Sequence, residues 1–286
     1  MNLGAPDKPV TNGPTQSAHR RLPEDKLEAG PVLSLIGDFA LRLRGEVTTV
    51  APAAQRLIAF LALQEGRQVR RSYVSGSLWT DTPEERANAS LRSALWRSPV
   101  VDGAPLVMAS NTHLWLRTDL TVDLHRARER AHQLLATPSL DGTSIDMHRE
   151  LDGFAEDLLV GWYDDWVDAE RERFRQLRLH VLDQIGELLL RAQMYCETVQ
   201  VGLVAVASEP LRESAQRLLV RAHLCEGNLA EALRQYYSYA ELLGRELGVR
   251  PSRAMEDLVA EVVSGQAATV WPIATHVDRQ SRQDSA

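Results

Sequence analysis

Five residues in the stretch Trp79–Arg97, WTDTPEERANASLRSALWR, have types and spacing that could do recognition chemistry: Arg86, Arg92, Ser93, Trp96 and Arg97. At about 100° per residue they share one arc of a helix, while Ala87, Leu91, Ala94 and Leu95 gather on the other. A guanidinium is always charged, and its fork of donors matches a phosphate, or guanine O6 and N7 in the major groove of a duplex. Ser93 could reach a base edge or a phosphate, and Trp96 could pack on a sugar or cover the core. Upstream, Arg70 and Arg71 form a basic cluster with Arg67. Downstream, Ser110-Asn111-Thr112 is a polar turn between two extended runs. Arg70, Arg71, Asn111 and Thr112 are placed to position a nucleic acid through its phosphates. The bland alternative is an amphipathic surface helix with a solvated face, and the rest of the chain has to decide between the two.

Other chemistries lack their residues. The only lysines, Lys8 and Lys26, lie near the N-terminus, so no P-loop exists. The histidines (19, 113, 125, 132, 148, 180, 223 and 276) form no HExxH, and nothing beside His125 and His132 completes a metal site. There is no G-x-S-x-G elbow. Glu156-Asp157 and Asp164-Asp165 have the local density of an acid/base pair, but the neighbouring Trp162 and Trp166 suggest structural or partner-facing use. Cys196 and Cys225 match no zinc spacing and read as buried free thiols. The expectation is no enzyme, no cofactor and no metal.

The elements that position the arginines come in a definite order. Leu33, Leu35, Phe39, Leu41 and Leu43 keep a period of two, with Gly37 in register, and predict a strand or hairpin turning near Gly45 and continuing to Val50. Pro52 opens a helix with the stripe Leu57, Ile58, Leu61 and Ala62, stopped by Gly66. A second helix spans 71–79. A third follows, with Thr82 as its cap, Pro83 at its first position and Glu84 and Glu85 in the first turn, until Pro99 ends it. Residues 106–117 predict a hairpin whose turn residue Asn111 can take positive φ. Strands, three helices and a hairpin make the winged-helix plan.

Beyond residue 121 the pattern is helical. Helices are expected at 122–136 and, interrupted only by Gly186, over Asp165–Arg191. A shift by one tetratricopeptide period, about 34 residues, lays Cys196–Val199 on Ala230–Leu233 and Leu190 on Leu224, with Gly227-Asn228 as a tight turn. Charge divides along the same line. Residues 31–121 hold ten arginines against eight acids, whereas 122–264 hold sixteen against twenty-five, within a net charge of −7. Residues 1–30, rich in Pro, Gly, Thr and Ser, read as a disordered segment, and 265–286 as a flexible tail in which Trp271-Pro272-Ile273 could dock. No apolar run approaches the ~18 residues of a membrane span, and no secretory core stands at the N-terminus, so the expected address is cytoplasmic, at the nucleoid.

The runs LSLIGDFALRLRG (33–45), QRLIAFLAL (55–63), Leu78-Trp79 and ERANASLRSALWR (85–97) resemble the DNA-binding domain of the Streptomyces antibiotic regulatory protein (SARP) family. That domain is itself similar to the effector domain of OmpR-type response regulators. GWYDDWVDAERERFRQLRLHVLD (161–183), EPLRESAQRLLVRAHLCEGNLAEALRQY (209–236) and ELGVRPS (246–252) resemble the family's bacterial transcriptional activator domain. Many members continue the third helix with Leu-Arg-Arg where Ser98-Pro99 stands here, which implies a weaker hold on DNA. The ATPase module of larger members is not expected.

The fold implied is mainly α with small β elements: an OmpR-type winged helix-turn-helix domain (31–121), then an all-α tetratricopeptide-like domain (122–264). The resemblance implies a sequence-specific activator of a secondary-metabolite gene cluster. Such a protein binds repeated sites in double-stranded promoter DNA as a homodimer and recruits RNA polymerase, with no membrane partner. The rival reading is a helical-repeat scaffold or ligand sensor with a weakened DNA-binding domain.

Overall fold

The computed structural model describes residues 30–139 and 147–267. The expected disordered segment (Gly30 apart), the Trp271-Pro272-Ile273 element and most of the tail lie outside those residues. The N-terminal half runs β1 (Val32–Ser34), β2 (Ala40–Leu43), β3 (Glu46–Thr48), α1 (Pro52–Ala62), β4 (Val69–Arg70), α2 (Arg71–Leu78) and α3 (Glu84–Trp96). It continues with β5 (Val100–Val101), β6 (Ala104–Pro105), β7 (Val107–Ala109), β8 (His113–Leu116) and β9 (Thr121–Val122). The rest is helical: α4 (Asp123–Ala136), α5 (Met147–Phe154), α6 (Asp165–Arg191), α7 (Tyr195–Ser208), α8 (Glu213–Cys225), α9 (Leu229–Leu247) and α10 (Arg253–Ala267).

Four strands pair in the order β3-β2-β1-β9, with β9 parallel to β1. Arg44 and Gly45, at φ 53° and 84°, make the two-residue turn from β2 to β3, a left-handed pair that suits the twist of a tight hairpin. The hairpin β7–β8 takes β4 as its third strand, in the order β4-β8-β7. The strand expected over 33–43 is two strands, because the backbone between them bonds elsewhere. The Leu35 and Ile36 N–H groups donate to the Asp123 carboxylate, the Leu159 N–H to Leu35 O, and the Gly37 N–H to Asp157 O. A period-two pattern cannot reveal partners so far along the chain.

The helical half bears out the repeat. α6 and α8 end at Arg191 and Cys225, and α7 and α9 start at Tyr195 and Leu229, each pair one repeat period apart. Gly186 and Gly202 are where this stack closes: a Cβ at Gly186 would collide with Leu218, and one at Gly202 with Leu219. Gly186 therefore lets α8 seat against α6 while remaining inside an unbroken helix. Gly248, at φ 68°, caps α9 in the left-handed conformation that glycine adopts without penalty.

One continuous cluster of buried apolar side chains joins the halves, from Leu33 and Phe60 through Leu91 and Leu124 to Phe174 and Ala215. Aromatic rings line the junction: Phe39 stacks on Trp162, which meets Trp166 edge-on, which meets Phe60 in turn. Trp162 and Trp166 are thus structural. Arg171 fastens the connecting loop, donating to the carbonyls of Leu158 (3.0 Å), Leu159 (2.9 Å) and Trp162 (2.8 Å) while pairing with Asp168. Arg56 of α1 pairs with Asp164 at 2.5 Å, and Arg128 of α4 bridges Glu65 and Glu170. Asp157 and Asp164 therefore serve the junction. The two thiols correct a sequence expectation: Cys196 and Cys225 are exposed. Each sits at a helix end beside a turn, where the outermost positions of the stack have no neighbour to cover them.

Candidate nucleic-acid interface

Helix α3 begins one residue later than its pattern suggests. Pro83, at φ −54° and ψ 144°, is extended and takes the capping position, and no side chain caps the helix. Thr82 instead donates its N–H to Trp79 O in the preceding turn. Ala87, Leu91 and Ala94 are buried and hold the helix to the core. Ser98 is buried too, its hydroxyl without a partner, and Pro99 O accepts from Leu106 N–H, so the Ser98-Pro99 departure forms the turn into β5.

The opposite face is open. Arg86, Arg92, Ser93, Trp96 and Arg97 are all exposed. Trp96 is 87% exposed, which settles the alternatives left by its sequence: it does not cover the core. On the helical wheel Ala89, also exposed, falls between Ser93 and Trp96; the sequence reading passed over it, although the same wheel contains it.

The arginines of 31–121 divide by what their side chains do. Arg42 donates to Ser34 Oγ, Arg44 pairs with Asp102, Arg56 with Asp164 and Arg117 with Asp119, and Arg71 donates to Ser110 O at 3.2 Å. The paired state raises the Arg117 pKa and lowers that of Asp119, chiefly through their mutual hydrogen bond. Arg67, Arg70, Arg86, Arg92 and Arg97 make no side-chain hydrogen bond or ion pair among the described residues, and all five are exposed. Every unpaired guanidinium of this half thus falls between residues 67 and 97.

The fold brings Arg70 and Arg71 to the hairpin tip. Arg70 in β4 pairs in register with His113, and the Arg71 N–H donates to Thr112 O at 2.9 Å. Arg71 is half-buried, its guanidinium turned to the tip, which leaves Arg70 as the more available charge. Asn111 and Thr112 are exposed at the tip. Asn111 does not take positive φ. The turn closes through Ser110 Oγ, which accepts the N–H groups of Thr112 (3.3 Å) and His113 (3.0 Å), so a side-chain acceptor replaces the left-handed residue. α2 packs on α3, and its first residue bonds the hairpin tip, so both surfaces share one support.

The model of the bacterial transcriptional activator domain matches residues 118–263. Regulatory protein AfsR of Streptomyces coelicolor is 28% identical over 268 residues, covering 91% of this chain and 27% of that protein. Regulatory protein AfsR of Streptomyces griseus is 25% identical over 227 residues, covering 78% of this chain and 23% of that protein. The chain thus spans about a quarter of the length of these curated relatives. Among solved structures, Mycobacterium tuberculosis EmbR in complex with a low affinity phosphopeptide is similar at TM-score 0.62 and 18% identity, over 83% of this chain and 66% of that chain, a likeness of fold. The match across 118–263, a winged helix ahead of it and the similarity to the two AfsR proteins lead to one placement: the chain belongs to the SARP family of transcriptional regulators that carry the bacterial transcriptional activator domain.

Proposed function

We propose that this regulator binds promoter DNA with α3 in the major groove, the β7–β8 hairpin tip against the neighbouring backbone, and residues 122–264 turned to the transcription machinery. The observation that carries this reading is the concentration of unpaired, exposed guanidiniums between residues 67 and 97, on and beside a helix anchored by its other face. Arg86, Arg92 and Arg97 contact phosphates or guanine edges, and Ser93 a base edge or phosphate. Arg70, Arg71, Asn111 and Thr112 set the register through the backbone. The rival scaffold reading is favoured by packed arginines or a hairpin folded over α3, and the exposure of this face speaks against both. The family supports the finer picture: a homodimer on repeated sites, recruiting RNA polymerase to the promoters of an antibiotic gene cluster from the cytoplasm. No helix among the described residues is long and apolar enough to cross a membrane.

A gel shift of the full chain on the promoter upstream of its own gene, with and without competitor DNA, tests the reading. Specific retention is expected, with affinity falling about a hundredfold between 50 and 200 mM salt if roughly four phosphates are neutralised. Retention equally abolished by unrelated competitor, or a flat salt response, would refute it.

A further inference from the structure

Resting on the DNA-binding reading, the geometry points to a base-reading role for the apolar centre of the α3 face: we propose that Ala89 and Trp96 receive the C5-methyl group of a thymine in the major groove. The arginines border this centre. At about 100° per residue, Trp96 and Ala89 lie within some 20° of each other, with Arg92 about 40° to one side and Ser93, Arg86 and Arg97 on the other. A helical side chain leans toward the N-terminus, so the surface above the Ala89–Ser93 turn is the one Trp96 covers. Trp96 is 87% exposed and takes part in no ring contact among the described residues. The indole stands in water on a face that it shares with Ala89, Ser93 and three unpaired arginines, and is open to a partner there.

Charge selects that partner. The face carries Arg86, Arg92 and Arg97 unpaired; the acidic residues of α3, Glu84 and Glu85, stand in its first turn, Glu85 one turn before Ala89 on the same face and three turns from Trp96. A polyanion satisfies the border, and what an apolar centre can meet in the major groove is the thymine methyl, the one carbon group that a base pair presents there. In this arrangement the arginines fix depth and register while the discriminating contact is apolar.

Duplexes enriched in vitro by the full chain from a random-sequence pool provide the probe. Each thymine of the enriched duplex is replaced singly by deoxyuridine, which removes the methyl and keeps every hydrogen-bonding edge. One or two positions are expected to weaken the wild-type chain about fourfold, the scale of one buried methyl group. The same duplexes should cost Trp96→Ala nothing further, and at so exposed a position this variant should keep the wild-type melting temperature. A second selection with Trp96→Ala should lose the thymine preference at those positions. Enrichment of a sequence with no deoxyuridine effect overturns the inference and leaves DNA binding standing. So does a Trp96→Ala loss independent of the methyl, which would place the indole on sugars or on a second protein. Failure to enrich any sequence overturns the DNA-binding reading, and this inference with it.

Discussion

The two halves of the molecule differ in how their free arginines are distributed: Arg191 and Arg250 stand exposed and apart in the helical half, whereas those of the N-terminal half gather around α3. In the helical stack, Arg171, Arg173, Arg175, Arg212, Arg217, Arg221, Arg234, Arg245 and Arg253 each pair with an acidic neighbour, several of them three or four residues away on the same helix. Around α3, five guanidiniums face water with no partner. Paired surface arginines add little stability each and leave an acidic surface tiled with alternating charge. Unpaired ones clustered on one anchored helix contribute nothing to the fold and are available to a polyanion. Environment, more than residue type, separates a structural arginine from a recognition arginine.

The comparison is broken most severely where one arginine does structural work at the junction. Arg171→Ala removes three donors to loop carbonyls and an ion pair, and is expected to lower stability by about 2–4 kcal/mol in urea unfolding. An unchanged midpoint would show that the aromatic rings alone hold the loop. Asp123 fastens the same junction from the other side, accepting the N–H groups of Leu35, Ile36 and Leu124. Burial pushes its pKa up to about 6, against the opposing pull of those bonds and of Arg42. The native state then keeps its proton between about pH 4 and 6 while the unfolded chain gives it up, so stability falls as pH rises through that window and is level above it. Relative to Asp123→Asn, which does not titrate, the wild type should lose about 2–3 kcal/mol from pH 4 to pH 7. A difference that is constant with pH would assign the carboxylate an ordinary pKa.

Smaller effects sharpen the contrast. Arg97→Ala should weaken specific DNA binding by roughly 1–3 kcal/mol and leave the unfolding midpoint in place. Arg178 is the buried exception within the stack: 4% exposed, its Nε without a partner, its pKa lowered by burial. Replacing a buried, unpaired cation with an apolar chain of similar length removes a desolvation cost, so Arg178→Met should leave stability unchanged or raise it by about 1 kcal/mol. A large loss would reveal that attraction to Asp157 outweighs that cost. Arg234→Ala, at an exposed pair with Glu231, should change stability by less than about 0.5 kcal/mol and DNA binding not at all.

Much of this was legible from local pattern. The stripe Leu57, Ile58 and Leu61, the unbroken helix over Asp165–Arg191 and the spacing of the repeat all report periodicity, which a single chain records directly. So did the open arc of α3, because the wheel that buries Ala87, Leu91 and Ala94 exposes Arg86, Arg92 and Arg97. What escaped depends on contacts far apart in sequence. The division of 33–43 into β1 and β2 answers to Asp123 and Asp157, and Trp162 and Trp166 reveal their role only beside Phe39 and Phe60. Gly186 looked like an interruption until Leu218 lay across it.

Sequence by itself determined the order of the main helices and of the hairpin over 106–117, the repeat and the arc on which the arginines stand, since each follows from a period: the pleat of a strand, the turn of a helix, the length of a helix pair. Tertiary structure alone decided which guanidiniums are engaged and which are free, and that the two halves share a core. Pairing and burial are properties of neighbours, and the neighbours of Arg56, Arg128 and Leu35 come from beyond the stretch of chain that contains them.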